Sequence, residues 1–203
     1  MSATWTAIIL AGGTSRRFGS DKSRAKLSEY SLLDDILLGL PAEMAVIVVG
    51  PELPSSVRAV QMTREQPING GPVAGISAGL VLVQTDLVGV IATDMPFAAP
   101  VLSQLVDQLP NEADGIVPVD TEGFQQPLCA VYRVDALQQA LIQLGTSHGK
   151  SMRSLMVLLN VHEMFMGGEY QNALMDIDTP ADLERAVAIR KQIQDNSTNE
   201  RRK

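Results

Sequence analysis

The chain has 203 residues, a formal net charge of -7 and 45% hydrophobic residues. That length suits one large α/β domain with its own apolar core, and the acidic balance disfavours a polyanion partner, since nucleic-acid binders gather an excess of basic charge on one face. The single cysteine, Cys129, forms no internal disulfide, and no secretory leader pattern or bilayer-length apolar run of roughly 18 residues appears, so a cytoplasmic protein with no nucleic-acid and no membrane partner is expected.

Runs rich in Val and Ile at 6–10, 45–49, 57–62, 87–92 and 115–119 read as strands. Helix signals lie between them: Ser31 caps a helix at 32–40, Pro72 opens one to 83, and another follows at 99–109. The alternation predicts an α/β fold, a three-layer α/β/α sandwich with a Rossmann-like, mainly parallel sheet. Near the end, Thr179-Pro180-Ala181-Asp182 supplies a hydroxyl N-cap, a proline at the first helical position and an acid two residues later, which predicts a final helix to about Gln194. Residues 1–194 are thus expected to form a single domain, with 195–203 a flexible tail.

The first strand leads into Leu10-Ala11-Gly12-Gly13-Thr14-Ser15-Arg16-Arg17-Phe18-Gly19-Ser20-Asp21-Lys22. Glycines let a backbone approach a ligand closely and turn amide groups inward, which suits an anion at the carboxyl end of a strand. Arg16, Arg17, Lys22, Arg24 and Lys26 concentrate positive charge on this segment of an otherwise acidic chain. Either feature alone has an ordinary reading, as a tight turn or a solvated charged face; together they point to polyphosphate. The segment is not a P-loop, because five residues separate Gly13 from Gly19 and no lysine follows Gly19, and the Gly-x-Gly-x-x-Gly dinucleotide pattern is absent.

The stretch resembles the Leu-Ala-Gly-Gly-x-Ser-x-Arg-Met-Gly-x-Asp-Lys signature of the molybdenum cofactor guanylyltransferases and their nucleotidyltransferase relatives, with Phe18 where Met is usual. The resemblance implies a nucleotide-diphospho-sugar transferase-like fold in which Leu10, Ala11, Gly12, Gly13, Thr14 and Ser15 wrap the triphosphate of an NTP. It makes Arg17 and Lys22 the catalytic cations that neutralise the triphosphate. Fixed cations stabilise the charge that develops on the α-phosphoryl oxygens and on departing pyrophosphate.

Such a site calls for Mg2+, a hard ion held by carboxylates and phosphate oxygens. The apolar run 87–93 ends in Asp94-Met95-Pro96-Phe97, which puts Asp94 at the carboxyl edge of a central strand, where open α/β sheets bind ligands. An Asp in the turn before a helix is the ordinary alternative; the resemblance, an Asp-x-Pro here, gives Asp94 the catalytic metal. Asn69-Gly70-Gly71-Pro72-Val73-Ala74-Gly75 resembles the family's Gly-Pro-Leu-Ala-Gly segment beside base and ribose, so Gly71, Pro72 and Gly75 join the nucleotide site. Glu65 stands where the family commonly has an Asp that contacts the base. Asp176-Ile177-Asp178-Thr179-Pro180 resembles an Asn-x-Asn/Asp-Thr-Pro segment; its two carboxylates face the same way on an extended chain, which makes Asp178 a second candidate metal ligand, although helix capping alone explains Thr179 and Pro180.

On the acceptor side, Gln126-Pro127-Leu128 resembles a Gln/His-Pro-Leu strand of the acceptor cleft and 149–155 resembles the basic segment that follows. Gln126, Pro127, Lys150 and Arg153 are the acceptor candidates, with exposed charges at a helix start the commoner fate of such cations. His148 and His162 have no partner at metal-ligand spacing, and Met152, Met156, Met164 and Met166 read as core filler. The expectation is a Mg-dependent nucleotidyltransferase, a monomer or weak homo-oligomer, in which the acceptor's terminal phosphate attacks the α-phosphorus of the NTP. By resemblance the NTP is GTP and the acceptor molybdopterin; Gly12-Gly13 favours this branch over cytidylyl relatives, which more often read Ala-Ala-Gly. Cytidylyl or other transfer to a different phosphorylated acceptor, and a non-catalytic nucleotide-binding protein of the same fold, stay open.

Overall fold

Strands this apolar can pair only where both faces are covered, and β1 (Trp5–Leu10), β2 (Val46–Val49) and β4 (Leu87–Ala92) are buried at every position, the polar Thr6 of β1 being hydrogen-bonded to the Thr85 hydroxyl at 2.9 Å. The computed structural model describes residues 4–12, 26–27, 29–52, 55–167, 170 and 172–200. The remaining strands are β3 (Gln61–Thr63), β5 (Gly115–Val119), β6 (Cys129–Arg133) and β7 (Val161–Phe165); the helices are α1 (Leu32–Gly39), α2 (Pro72–Leu80), α3 (Ala99–Gln108), α4 (Val134–Leu144), α5 (Met152–Met156) and α6 (Pro180–Glu200). Among the described residues the strands form one sheet in the order β3-β2-β1-β4-β6-β5-β7, with β6 antiparallel to both its neighbours and the other pairs parallel.

Alternate strand residues feed two cores. Ile9, Val48, Ile91, Ile116 and Val131 meet residues of α1 and α3 on one face, while Ile8, Ile47, Val90, Val117 and Tyr132 meet α2, α4 and α5 on the other. Ile8, Ile9, Ile47 and Ile91 are 0% exposed; each such side chain contributes roughly 1.5–3 kcal/mol relative to leaving it in water. A smaller cluster joins Leu27, Leu32, Phe97, Ile177, Ala186 and Ile189 beneath α6. Among the described residues no helix is long and apolar enough to cross a membrane.

The predicted three-layer α/β sandwich is present, and four of the five expected strands lie where the sequence put them. The expected strand at 57–62 is corrected: pairing begins only at Gln61. The reason is local, since Val57 N donates to Ser55 Oγ and Arg58 reaches the carbonyls of Pro41 and Ala42 at 2.7 and 2.8 Å, which holds 55–58 as a turn. α2 stops at Leu80 rather than 83 because Leu82 and Val83 turn back to Gly79 and Leu80 in tighter three-residue bonds. α6 runs on to Glu200, past the expected end near Gln194.

Ser31 caps α1 as expected, its hydroxyl accepting from Asp34 N at 3.1 Å. The Asp34 carboxylate in turn accepts from the hydroxyls of Ser31, Ser55 and Ser56 and from Ser56 N. Burial pushes this carboxyl up, but the serine hydrogen bonds together outweigh it and hold Asp34 below the ordinary carboxylate range. Asp34→Ala strands several donors and is expected to cost about 1–3 kcal/mol in urea unfolding. Because the folded carboxyl titrates below the unfolded one, its contribution is complete above the ordinary carboxylate range and disappears as pH falls through the depressed value. Urea midpoints of Asp34→Asn should accordingly fall less steeply on acidification than those of wild type.

Candidate active site

Parallel strands that end level present a shared rim, and here Leu10 pairs with Val49 on one side and Ala92 on the other. The segment leaving β1 is pinned at once: Ala11 N donates to Val49 O at 2.7 Å, while Thr93 N and Oγ1 both donate to Leu10 O, at 3.1 and 3.2 Å. Gly50 makes this approach possible, since a Cβ there would lie 2.8 Å from the Ala11 carbonyl carbon. The start of the glycine loop is thereby clamped between the turns that follow β2 and β4.

α2 supplies the opposite wall. Gly71 caps it with φ of +85°, a backbone that glycine adopts without strain, and Pro72 takes the first helical position. A Cβ on Gly75 would lie 3.0 Å from Leu10 Cδ2, so the helix N-terminus sits directly beside the end of β1. Its free amide groups favour negative charge, and no acid occupies its first turn. The result is a cleft of about 340 Å3 with Leu10, Gly12, Gly71, Pro72 and Gly75 along its floor and walls. Glu65 and Asn69 border one side, Thr93 and Asp94 the other, and Leu128 closes the far end.

Of the predicted nucleotide-site residues, Leu10, Gly12, Glu65, Gly71, Pro72, Gly75 and Asp94 line this one cleft, whereas Ala11 is half-buried against the core on the α1 and α3 face. Gly13, Thr14, Ser15, Arg17 and Lys22 lie outside the described residues, as do Arg16 and Arg24. Beyond the loop, Lys26 is exposed and bridges to Ser31, and Leu27 is buried. Glu65 Oε1 accepts from Asn69 N at 3.0 Å, which ties its carboxylate into the turn leading to α2. Sequence reasoning did not name Val49, Asn69, Ala92, Thr93 or Leu128 as lining the nucleotide cleft. Asn69 and Leu128 stand inside motifs it quoted and Thr93 beside one, whereas Val49 and Ala92 reach the cleft only as the last residues of their strands.

Asp94 is half-buried, and its carbonyl accepts from Ile177 N at 2.9 Å. That bond lays 176–178 alongside the Asp94 turn, with Ile177 fully buried and Asp176 and Asp178 exposed. Asp182 Oδ2 accepts from Thr179 Oγ1 at 2.7 Å, Thr179 N at 2.8 Å and Asp178 N at 3.1 Å, while Asp182 N donates back to Thr179 Oγ1. This reciprocal cap is the one expected, and the Thr179 hydroxyl is the largest influence holding the Asp182 carboxyl low. Among the described residues no cluster of three or more His, Cys, Asp or Glu side chains could hold a metal ion; Asp94 lines the cleft as a hard oxygen donor, and Asp178, exposed on the adjoining segment, is not among its lining residues. Cys129 is no alternative ligand or nucleophile, since burial first, and the nearby Asp176 charge second, push its thiol far above the ordinary range.

The acceptor candidates are not brought together. Pro127 and Arg153 line a second hollow of about 470 Å3 with Gln125, Met156 and Val157. Gln126 is turned into the β5–β6 hairpin, its Nε2 donating to Asp120 Oδ2 at 2.8 Å. The Lys150 carbonyl lies 3.8 Å from a Cβ placed on Gly71, beside the nucleotide end of the cleft. Met152 and Met166 are buried and Met156 and Met164 pack partly buried against the cores, as expected of filler.

Residues 7–162 match the sequence profile of the MobA-like NTP transferase domain. A probable molybdenum cofactor guanylyltransferase of Chloroflexus aggregans is 34% identical, with 90% of this chain and 93% of that protein aligned. One of Opitutus terrae is 32% identical, over 81% and 85%. Among solved structures, molybdopterin-guanine dinucleotide biosynthesis protein A from Archaeoglobus fulgidus superposes with a TM-score of 0.70 at 23% identity, covering 92% of this chain and 99% of that one, a likeness of fold. With its glycine turn, its α2 wall and its strand-end acid around one crevice, this chain belongs to the MobA-like NTP transferase family.

Proposed function

We propose that the protein is a molybdenum cofactor guanylyltransferase that transfers GMP from GTP to the terminal phosphate of molybdopterin and releases pyrophosphate. The observation that carries this reading is the placement of Gly12, the first turn of α2 and Asp94 around a single cleft at the level ends of β1 and β4. The likeness to probable molybdenum cofactor guanylyltransferases of Chloroflexus and Opitutus supports a guanine nucleotide and the molybdenum cofactor over the cytidylyl alternative, as does Gly12-Gly13.

In this mechanism the backbone of the loop from Leu10 to Ser15 and the N-terminus of α2 bind the triphosphate, with Glu65 and Asn69 toward the base. Arg17 and Lys22, further along the same loop, neutralise the departing pyrophosphate. Asp94, with Asp178 as second candidate, would hold Mg2+, which when bound supplies positive charge to the phosphate oxygens. The acceptor phosphate is already ionised, so the protein needs no strong general base and contributes chiefly alignment of nucleophile, phosphorus and leaving group. Pro127 and Arg153, which share a hollow apart from this cleft, are the acceptor candidates that lie together, while Lys150 lies beside Gly71 and Gln126 is bonded to Asp120. The same reading places the protein in the cytoplasm as a single-domain monomer or weak homo-oligomer, with no nucleic-acid or membrane partner.

Pyrophosphate release from purified protein, Mg2+, molybdopterin and each NTP in turn is the direct test; GTP is expected to lead, and equal or faster turnover with CTP would reject the base assignment. Asp94→Ala should keep the wild-type melting temperature and lose on the order of 100-fold or more in kcat, the scale of removing one stabiliser of transition-state charge. Unchanged Mg2+-dependent turnover would remove Asp94 from the metal site. Lys22→Ala gives up a charge-assisted bond of about 1.5–3 kcal/mol and should raise the GTP Kd about tenfold or more by calorimetry; wild-type affinity would reject the loop assignment.

A further inference from the structure

We infer that α6 is a brace that sets the position of the Asp94 side of the cleft, and that Arg190 is the positioning residue that seats it. The matched domain ends at residue 162, yet the strand-end acid is bordered by 176–178, a segment that leads directly into α6. Ile177 carries both halves of the link, its N–H bonded to Asp94 O at 2.9 Å and its side chain 0% exposed in the cluster beneath α6. The same cluster contains Leu27, at the far end of the basic loop, Phe97, three residues past Asp94, and Leu32, at the start of α1. One small apolar contact therefore touches the exit of the loop and the turn that bears the acid, the two sides between which a polyphosphate would lie.

The attachment of α6 is narrow. Ala186 and Ile189 are buried and Leu183 partly so, while Glu184, Arg185, Val187 and Ala188 are exposed. Beside Ile189, the Arg190 guanidinium is paired with the Asp35 carboxylate of α1, whose side chain is 0% exposed. Burial pushes the Asp35 carboxyl up and the Arg190 charge only partly offsets it, so truncating Arg190 leaves a buried carboxylate without its partner, which is strongly unfavourable while α6 stays in place. Lifting α6 would pull Ile177 from Asp94 and free Leu27 together.

The inference about catalysis rests on the proposed nucleotidyl transfer, whereas the brace itself is read without substrate, by hydrogen exchange of the Ile177 amide. Arg190→Ala is expected to speed that exchange about tenfold or more at temperatures where the protein stays folded. It should also lower kcat about tenfold while leaving the KM for GTP within about threefold, and Arg190→Lys should recover most of both losses. Leu183→Ala, a milder cut in the same contact, reads the same quantities if Arg190→Ala does not fold. Ile177 exchange unchanged in the variants overturns the brace, and faster exchange with wild-type kcat overturns its role in catalysis. Wild-type protein that transfers no nucleotidyl group overturns the proposed activity and leaves the exchange result standing.

Discussion

The cleft depends on how closely α2 lies on the sheet. A Cβ at Gly79 would come within 3.0 Å of Ile8 Cδ1 and Val49 Cγ2, and one at Gly75 within 3.0 Å of Leu10 Cδ2. Without those hydrogens in place of methyls the helix would ride outward on β1 and β2, and its N-terminal amides would no longer face the end of β1. Everything that converges at the rim follows from that approach: the Gly71 cap, the turn of Glu65 and Asn69, and the glycine that opens the loop after β1.

Level strand ends complete the arrangement. Because Leu10 stands opposite both Val49 and Ala92, the residues just beyond each strand emerge in one row, and Thr93 and Ala11 tie that row together through the Leu10 and Val49 carbonyls. The antiparallel β6 starts at the same rim, since Cys129 lies opposite Ile91, which brings Leu128 to the far wall. A chain with net charge of -7 thus presents backbone donors and the first turn of a helix at one place, and five of its 16 Lys and Arg residues lie at 16–26 of its sequence. The anion binding proposed there would be local and would not require a basic protein.

The C-terminal third contributes by support more than by contact. The reciprocal cap of Thr179 and Asp182 fixes the first turn of α6, Ile177 joins that turn to Asp94, and the Arg190–Asp35 pair anchors the helix to α1. Asp34, one residue from Asp35, meanwhile holds the turn at 55–58. α1 is therefore a hub through which the loop after β2 and the helix at the end of the chain are both attached.

Local chemistry was legible in the residues themselves. Ser31, Pro72 and Thr179 mark helix starts because capping and proline geometry act within one turn, and the uninterrupted apolar runs 87–92 and 115–119 became strands with those bounds. Gly12 stood out because glycine suits a close approach after a strand, whereas the site roles of Gly71 and Asp94 came from the family resemblance, since a turn before a helix explains a glycine or an acid there equally well. What composition and spacing do not contain is register and order: that β6 inserts antiparallel between β4 and β5, that Leu128 and Val49 reach the cleft, and that Gln126 turns toward Asp120 while Pro127 and Arg153 share another hollow. Residues 57–60 look like a strand until the Asp34 and Ser55 bonds draw that segment into a turn. Sequence alone marked most of the helix starts and four of the strands and named candidates with the chemistry to hold phosphate; tertiary structure decided which of the described ones meet, because contacts such as Asp94 with Ile177 or Asp35 with Arg190 join positions far apart in the chain and exist only once the layers are packed.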